Sequence, residues 1–305
     1  MTDWIAIGEA VLPIFGLVAL GAVLKRLPLL DDKGWAAIDR IVYWVLFPAL
    51  LFGAVSRADF GSLDPGPMAL GMIATVLLVT FLAFLFARRQ GASRAARASL
   101  VMGSIRFNTF LGVAIAEQFL GETGLALTAI CIAVMVPTVN VISIWALQRG
   151  TPGGGMGRTL GALLTNPLII ACLLGAVVNL TGGEPEPVLM TAIGILGDGA
   201  LPLGLIAVGA GLAFETLRRE SALLGAGVVL KMLVQPAIGF GLLRAAGLEG
   251  PELLIAVMWL ALPAAPSSYV MARSLGGDAP LMATLLTIQL VLSAASLPIL
   301  IGLLG

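Results

Sequence analysis

Histidine is absent from this 305-residue chain, and cysteine appears only twice, as Cys131 and Cys172. The first absence removes the side chain that most readily changes charge near neutral pH, and with it the commonest metal ligand. Both cysteines sit inside apolar runs, so neither a disulfide framework nor a zinc site is expected. Charge is scarce too. Only 11% of residues are Asp, Glu, Lys or Arg, seventeen of each sign, whereas a soluble domain carries about a quarter. With no net charge, no nucleic-acid partner is expected.

What the chain has is apolar mass. Hydrophobic residues make up 59% of it, alongside 38 glycines. Hydropathy divides it into ten stretches near 5–24, 36–55, 67–87, 98–119, 123–147, 161–180, 188–213, 221–243, 252–273 and 280–303. Ten spans of about 20 residues would use roughly two thirds of the chain. The predicted class is therefore an all-α integral membrane protein with no sizeable extramembrane domain. The first stretch has no basic segment ahead of it and no clear cleavage site after it. It is read as a retained span rather than a signal peptide.

Basic residues set the expected orientation. With the N-terminus outside, thirteen Lys and Arg fall on the inward loops and helix ends, against Arg57 and Arg244 on the outward side. Both termini are then expected outside a plasma or bacterial inner membrane, in a multi-pass protein.

A shift of 154 residues superimposes Pro13 on Pro167, Leu20-Gly21-Ala22-Val23 on Leu174-Gly175-Ala176-Val177, and Phe47-Pro48-Ala49 on Leu201-Pro202-Leu203. The shift contains five spans, an odd number. Two five-helix repeats, residues 1–150 and 151–305, would then lie in the bilayer with opposite orientation, an arrangement that recurs in secondary transporters.

The same shift relates two unusual segments. In span 9, Leu262-Pro263-Ala264-Ala265-Pro266-Ser267-Ser268-Tyr269 puts two prolines in mid-membrane. Each removes a backbone donor and collides with the preceding turn, so a broken helix is expected. Its counterpart in span 4 is Arg106-Phe107-Asn108-Thr109-Phe110-Leu111-Gly112. Two broken helices meeting at the midplane would present half-helix N-termini, whose unpaired amides and partial positive charge suit a carboxylate. Isolated prolines such as Pro48, Pro137, Pro202 and Pro236 need no such role.

These residues carry a resemblance. The sequence resembles the auxin efflux carrier family, which includes plant PIN-type carriers and bacterial malonate- or malate-type permeases. The matching elements are Pro13-Ile14-Phe15 with Gly21, Phe47-Pro48-Ala49-Leu50-Leu51-Phe52, Asn108-Thr109-Phe110-Leu111-Gly112, Asn166-Pro167-Leu168, Leu201-Pro202-Leu203-Gly204-Leu205, Lys231 with Pro236, and Leu262-Pro263 to Tyr269. The resemblance implies a five-plus-five inverted fold with crossed helices 4 and 9, a scaffold and a moving transport domain, and often a homodimer. It implies small organic anions as substrates, with Asn108 as the helix-4 crossover residue and Pro263 to Pro266 as that of helix 9. One position departs: Ala114 stands where family members usually carry proline, which makes the break in span 4 depend on Asn108 and Gly112. In place of the long cytoplasmic loop of many plant members there is only the linker 148–160, which argues against auxin as substrate.

Charges within spans need a reason, since each costs about 2.5–3.5 kcal/mol at the bilayer centre. Arg106 would attract an anion, pair with an acid, or snorkel to an aqueous cavity. Lys231 and Asp198 would form an internal pair, or Asp198 would carry a proton or cation during coupling. Asn140, Gln235 and Gln289 read as hydrogen-bonding groups between helices. Ser267, Ser268 and Tyr269 directly follow the span-9 break and join Arg106, Asn108, Thr109, Pro263 and Pro266 as candidate substrate ligands. The glycine-rich run 153–157 has no strand before it and reads as a connector rather than a phosphate loop.

The expected function is secondary active transport of small organic anions by alternating access. No cofactor or metal is expected beyond sodium or a proton as coupling ion. A sodium-coupled transporter of the bile-acid type and a passive channel are the alternatives. An antiporter would need a carboxylate at the crossover, which is lacking, and an intramembrane enzyme would need a second catalytic group.

Overall fold

The computed structural model describes residues 4–57, 65–148, 165, 167–182, 186–211 and 221–304. The glycine-rich run 153–157, residues 149–160 of the linker and Asn166 lie outside the described residues. Among the described residues the chain is helical throughout, with no strand.

In chain order, α1 is Trp4–Leu24, and α2 (Asp32–Ile41) runs through a π turn at Val42–Leu46 into α3 (Phe47–Arg57). Asp31 starts α2 by accepting from the Gly34 amide at 2.8 Å, the expected use of an N-cap aspartate. Then come α4 (Pro65–Arg89), α5 (Arg94–Ile105) and α6 (Thr109–Gln148). In the second half α7 is Pro167–Thr181, α8 Pro187–Asp198 and α9 Ala200–Ala210. They are followed by α10 (Ser221–Val229), a π turn at Leu230–Val234, α11 (Gln235–Ala245), α12 (Gly250–Ala261), α13 (Pro266–Leu275) and α14 (Ala279–Leu304).

Seven stretches are long and apolar enough to cross a membrane, and Leu12–Leu24 and Pro167–Thr181 are shorter apolar helices. One of the seven, Arg94–Leu147, has 54 residues. As one rod it would reach roughly 80 Å, far more than a hydrocarbon core of about 30 Å. It is not one rod. The chain leaves helical geometry at Arg106-Phe107-Asn108 and again at Gly121, where φ is 52°. The surface is what a bilayer would meet: Leu180 is 81% exposed and Leu303 74%.

Glycines set the closest helix contacts. A Cβ on Gly21 of α1 would collide with the carbonyl of Ile206 in α9, and one on Gly209 would collide with that of Val18. A Cβ on Gly175 of α7 would stand 2.9 Å from Val55 and 3.0 Å from the Phe52 carbonyl in α3. Backbones this close gain dispersion contacts that lipid cannot replace, which is why small residues mark such interfaces.

Candidate functional site at two interrupted helices

Both segments singled out by their sequence lose helical hydrogen bonding in the middle of an apolar run. Between α5 and α6 the break is Arg106-Phe107-Asn108, and Arg106 is extended, with φ −73° and ψ 155°. Between α12 and α13 it is Leu262-Pro263-Ala264-Ala265, with Leu262 at ψ 139° and Ala265 at ψ 152°. Pro263 is buried and Pro266 opens α13, where its missing N–H is no loss.

The two breaks lie against each other. Phe107 packs edge-on against Trp259 with ring centroids 5.0 Å apart. Gly112, in the first turn of α6, faces Leu262 and Trp259, and a Cβ there would stand 2.6 Å from the Leu262 methyl and 3.1 Å from the indole. Phe110 stacks at 4.5 Å on Phe47 of α3. Gly204 of α9 faces both rings, so α3 and α9 close over the start of α6.

A buried break leaves backbone groups that lipid cannot satisfy. Gln289 of α14 takes up three of them. Its Oε1 accepts from the Ala264 amide at 3.0 Å, while its Nε2 donates to the Gly103 carbonyl at 2.8 Å and the Gly227 carbonyl at 3.2 Å. One side chain thereby ties the end of α5, the α12–α13 break and α10 together.

Arg106 is the charge at this junction, 8% exposed. Its Nε donates to Ser268 Oγ at 2.8 Å, its Nη1 to Asn140 Oδ1 at 2.8 Å, and its Nη2 to Ser267 Oγ at 3.2 Å. The Met271 sulfur lies 3.8 Å from Nη1. Every one of these acceptors is neutral. The guanidinium is therefore oriented but not neutralised, and its positive charge is free to act on an anion.

Asn108 is 1% exposed and caps α6: its Oδ1 accepts from the Leu111 amide at 3.2 Å. Its Nδ2 is buried without a partner among the described residues. A buried amide donor left open is uncommon and marks a place where a ligand or water acceptor fits. Thr109 is half-buried in the first turn of α6, and Ser267, Ser268 and Tyr269 form the first turn of α13. Ser267 is exposed, Tyr269 half-buried and Ser268 fully buried, its amide donating to the Ala265 carbonyl at 2.9 Å. Two helix N-termini thus begin beside one uncompensated cation.

The two remaining charges stand apart from this cluster and from each other. Lys231 is fully buried in the π turn after α10, and its Nζ donates to Gln235 Oε1 at 2.9 Å, one turn along. Asp198 is exposed at the end of α8 and lines a cavity of about 160 Å³ with Arg57, Glu117 and Glu122. Among the described residues they form no pair; the ion pairs there are Lys25 with Asp32 and Arg244 with Glu249. Glu117 and Glu122 are functional candidates that the sequence reading did not raise: Glu122 falls between two spans and Glu117 at the end of one, beside the Gly121 turn.

Long apolar helices and two interrupted helices meeting around a buried cation are the features of a multi-pass membrane protein. Residues 157–301 match the family described as "Membrane transport protein". The resemblance to the auxin efflux carrier family read from the sequence is thereby borne out. The chain is 28% identical over 300 residues to an "Uncharacterized transporter" of Methanothermobacter thermautotrophicus, covering 95% of this chain and 96% of that one. It is 27% identical over 281 residues to a "Putative malonate transporter" of Rhizobium meliloti, covering 87% and 86%.

Proposed function

We propose that this protein is a secondary active transporter of small carboxylates, malonate among them, which bind where α5–α6 and α12–α13 are interrupted. The observation that carries this assignment is Arg106, a buried guanidinium whose hydrogen-bond partners are all neutral, in the same break as Asn108, whose Nδ2 has no partner among the described residues. A carboxylate has two oxygens, one for each donor, and the N-termini of α6 and α13 add favourable dipoles. The malonate named for the Rhizobium relative is a carboxylate of the required kind.

The fold is assigned as ten membrane helices in two inverted repeats, residues 1–150 and 151–305, with helix 4 (α5 and α6 up to the Gly121 turn) and helix 9 (α12–α13) crossed. Exchanged contacts support it. Gly21 and Gly175 are 154 residues apart; the first carries α1 onto α9, the second carries α7 onto α3. Under the same offset α1 becomes α7 and α3 becomes α9, so one contact maps onto the other with the halves swapped. That pairing would form a scaffold, against which the interrupted helices move to expose the site to each side in turn.

Coupling, by proton or sodium, is assigned to the carboxylates around the Asp198 cavity, with Glu117 and Glu122 joining the residue read from the sequence. Both termini face outward across the plasma or inner membrane, by the distribution of basic residues. Association as a homodimer follows from the family resemblance alone.

Counterflow in proteoliposomes tests the assignment. Vesicles preloaded with unlabelled malonate should accumulate labelled malonate transiently, and saturably, above the level of empty vesicles. Linear, non-saturating entry without counterflow would make the protein a channel.

A further inference from the structure

A second cation cluster lies at the far end of the same helices, and no transport step uses it. Arg88 in the last turn of α4, with Arg94 and Arg97 in the first turn of α5, lines a cavity of about 420 Å³ walled by Phe84 and Ala146. That volume is within the range of small-molecule sites, about 300–1,000 Å³. Arg94 Nη2 donates to the Leu147 carbonyl at 3.3 Å, which among the described residues leaves most of the donors of the three guanidiniums open.

Residues 65–116 and 123–183 contain no Asp or Glu, so α4, α5 and the C-terminal part of α6 that build the cavity supply no carboxylate. One acidic residue is tied to α5: the Asp278 amide donates to the Ala95 carbonyl at 3.2 Å. Its carboxylate accepts from the Leu281 amide at 3.0 Å, at the start of α14. Among the described residues no ion pair involves Arg88, Arg94 or Arg97.

The apolar wall continues outward. Phe84, one turn before Arg88, meets Trp145 of α6 at a ring-centroid distance of 6.1 Å, and Trp145 is 47% exposed. Indole and phenyl rings one turn inside a ring of arginines match the layering of a membrane interface, with aromatics at the ester level and cations at the phosphates. A free anion would use the arginines but not this apolar ramp.

We propose that the Arg88–Arg94–Arg97 cavity is a binding site for the phosphate of an anionic phospholipid, whose acyl chains run down Phe84 and Trp145. Basic pockets between membrane helices hold such headgroups through charge-assisted hydrogen bonds. The site is distinct from the substrate junction and stands whether or not carboxylates are the cargo.

The test is thermal unfolding of the delipidated full chain in dodecyl maltoside micelles doped with phosphatidylglycerol, with phosphatidylcholine, or with inorganic phosphate added. Phosphatidylglycerol should raise the unfolding midpoint in a saturable way, with phosphatidylcholine and inorganic phosphate well below it. Arg88→Gln with Arg97→Gln should weaken the apparent phosphatidylglycerol affinity at least about tenfold. Arg89→Gln, which removes a neighbouring charge outside the cavity, should leave it unchanged. Should the double variant not fold, Arg88→Gln alone, at an exposed helix end, should still lose part of the response. Equal protection by phosphatidylcholine, an undiminished response in these variants, or equal loss in Arg89→Gln would overturn the site. Protection by inorganic phosphate equal to that by phosphatidylglycerol would overturn the lipid assignment.

Discussion

Arg106 donates from Nε to Ser268 Oγ at 2.8 Å, joining the break in the first half of the chain to the helix that restarts after the break in the second. The bond spans 162 residues and is made between a cation and a neutral hydroxyl. It positions the guanidinium without cancelling its charge, which is what an anion site needs and what a purely structural arginine, paired to a carboxylate, would not show.

Arg106→Gln should therefore lose carboxylate binding while keeping its neighbours in place. A charge-assisted hydrogen bond contributes about 1.5–3 kcal/mol, so malonate binding by titration calorimetry should weaken roughly 10- to 100-fold. Arg106→Lys retains the charge but not the three-way fork, and should fall between the two.

Asn108 has two roles that substitutions separate. Asn108→Ala removes both the α6 cap and the open Nδ2 donor, and should abolish uptake with a stability loss of about 1 kcal/mol. Asn108→Asp keeps a capping oxygen and puts a negative charge beside the substrate, so the fold should survive and uptake should not. Normal uptake kinetics in Asn108→Asp would remove Asn108 from the site.

How much of this was legible in the sequence depends on the kind of signal. The break at 262–265 was, because Pro263 and Pro266 forbid a regular helix whatever surrounds them. The break at 106–108 was visible only as polarity, and it forms with Ala114 in place of the family's proline because Asn108 caps the restarted helix. The partners of Arg106 were not legible, since Asn140 and Ser268 come to it only through the tertiary fold. Nor was the separation of Lys231 from Asp198: two opposite charges in adjacent spans suggest a pair, but one is buried on its helix and the other opens onto a cavity. The turn at Gly121 was legible too: hydropathy separates 98–119 from 123–147 where the backbone takes φ 52°.

Replacing Pro263 and Pro266 together by Ala restores two backbone donors and relieves the steric bar to helix in span 9. The double variant should insert and fold but stop turning over in the counterflow assay. Full counterflow activity would show that the interruption is not needed for transport.

Glycine contacts predict stability rather than transport. Gly21→Ala and Gly209→Ala each drive a Cβ into a backbone carbonyl, which cannot swing away, and should lower the thermal midpoint by several degrees. Gly225→Ala meets nothing within 4 Å, and should be neutral or slightly stabilising by up to about 1 kcal/mol from helix propensity.

The most direct measurement is equilibrium binding of malonate and of malonamide, its uncharged diamide, to the wild-type protein and to Arg106→Gln. The wild type should bind malonate and ignore malonamide, and the variant should lose that preference. If Arg106→Gln binds malonate as tightly as the wild type, the meeting point of the interrupted helices is not where the anion sits.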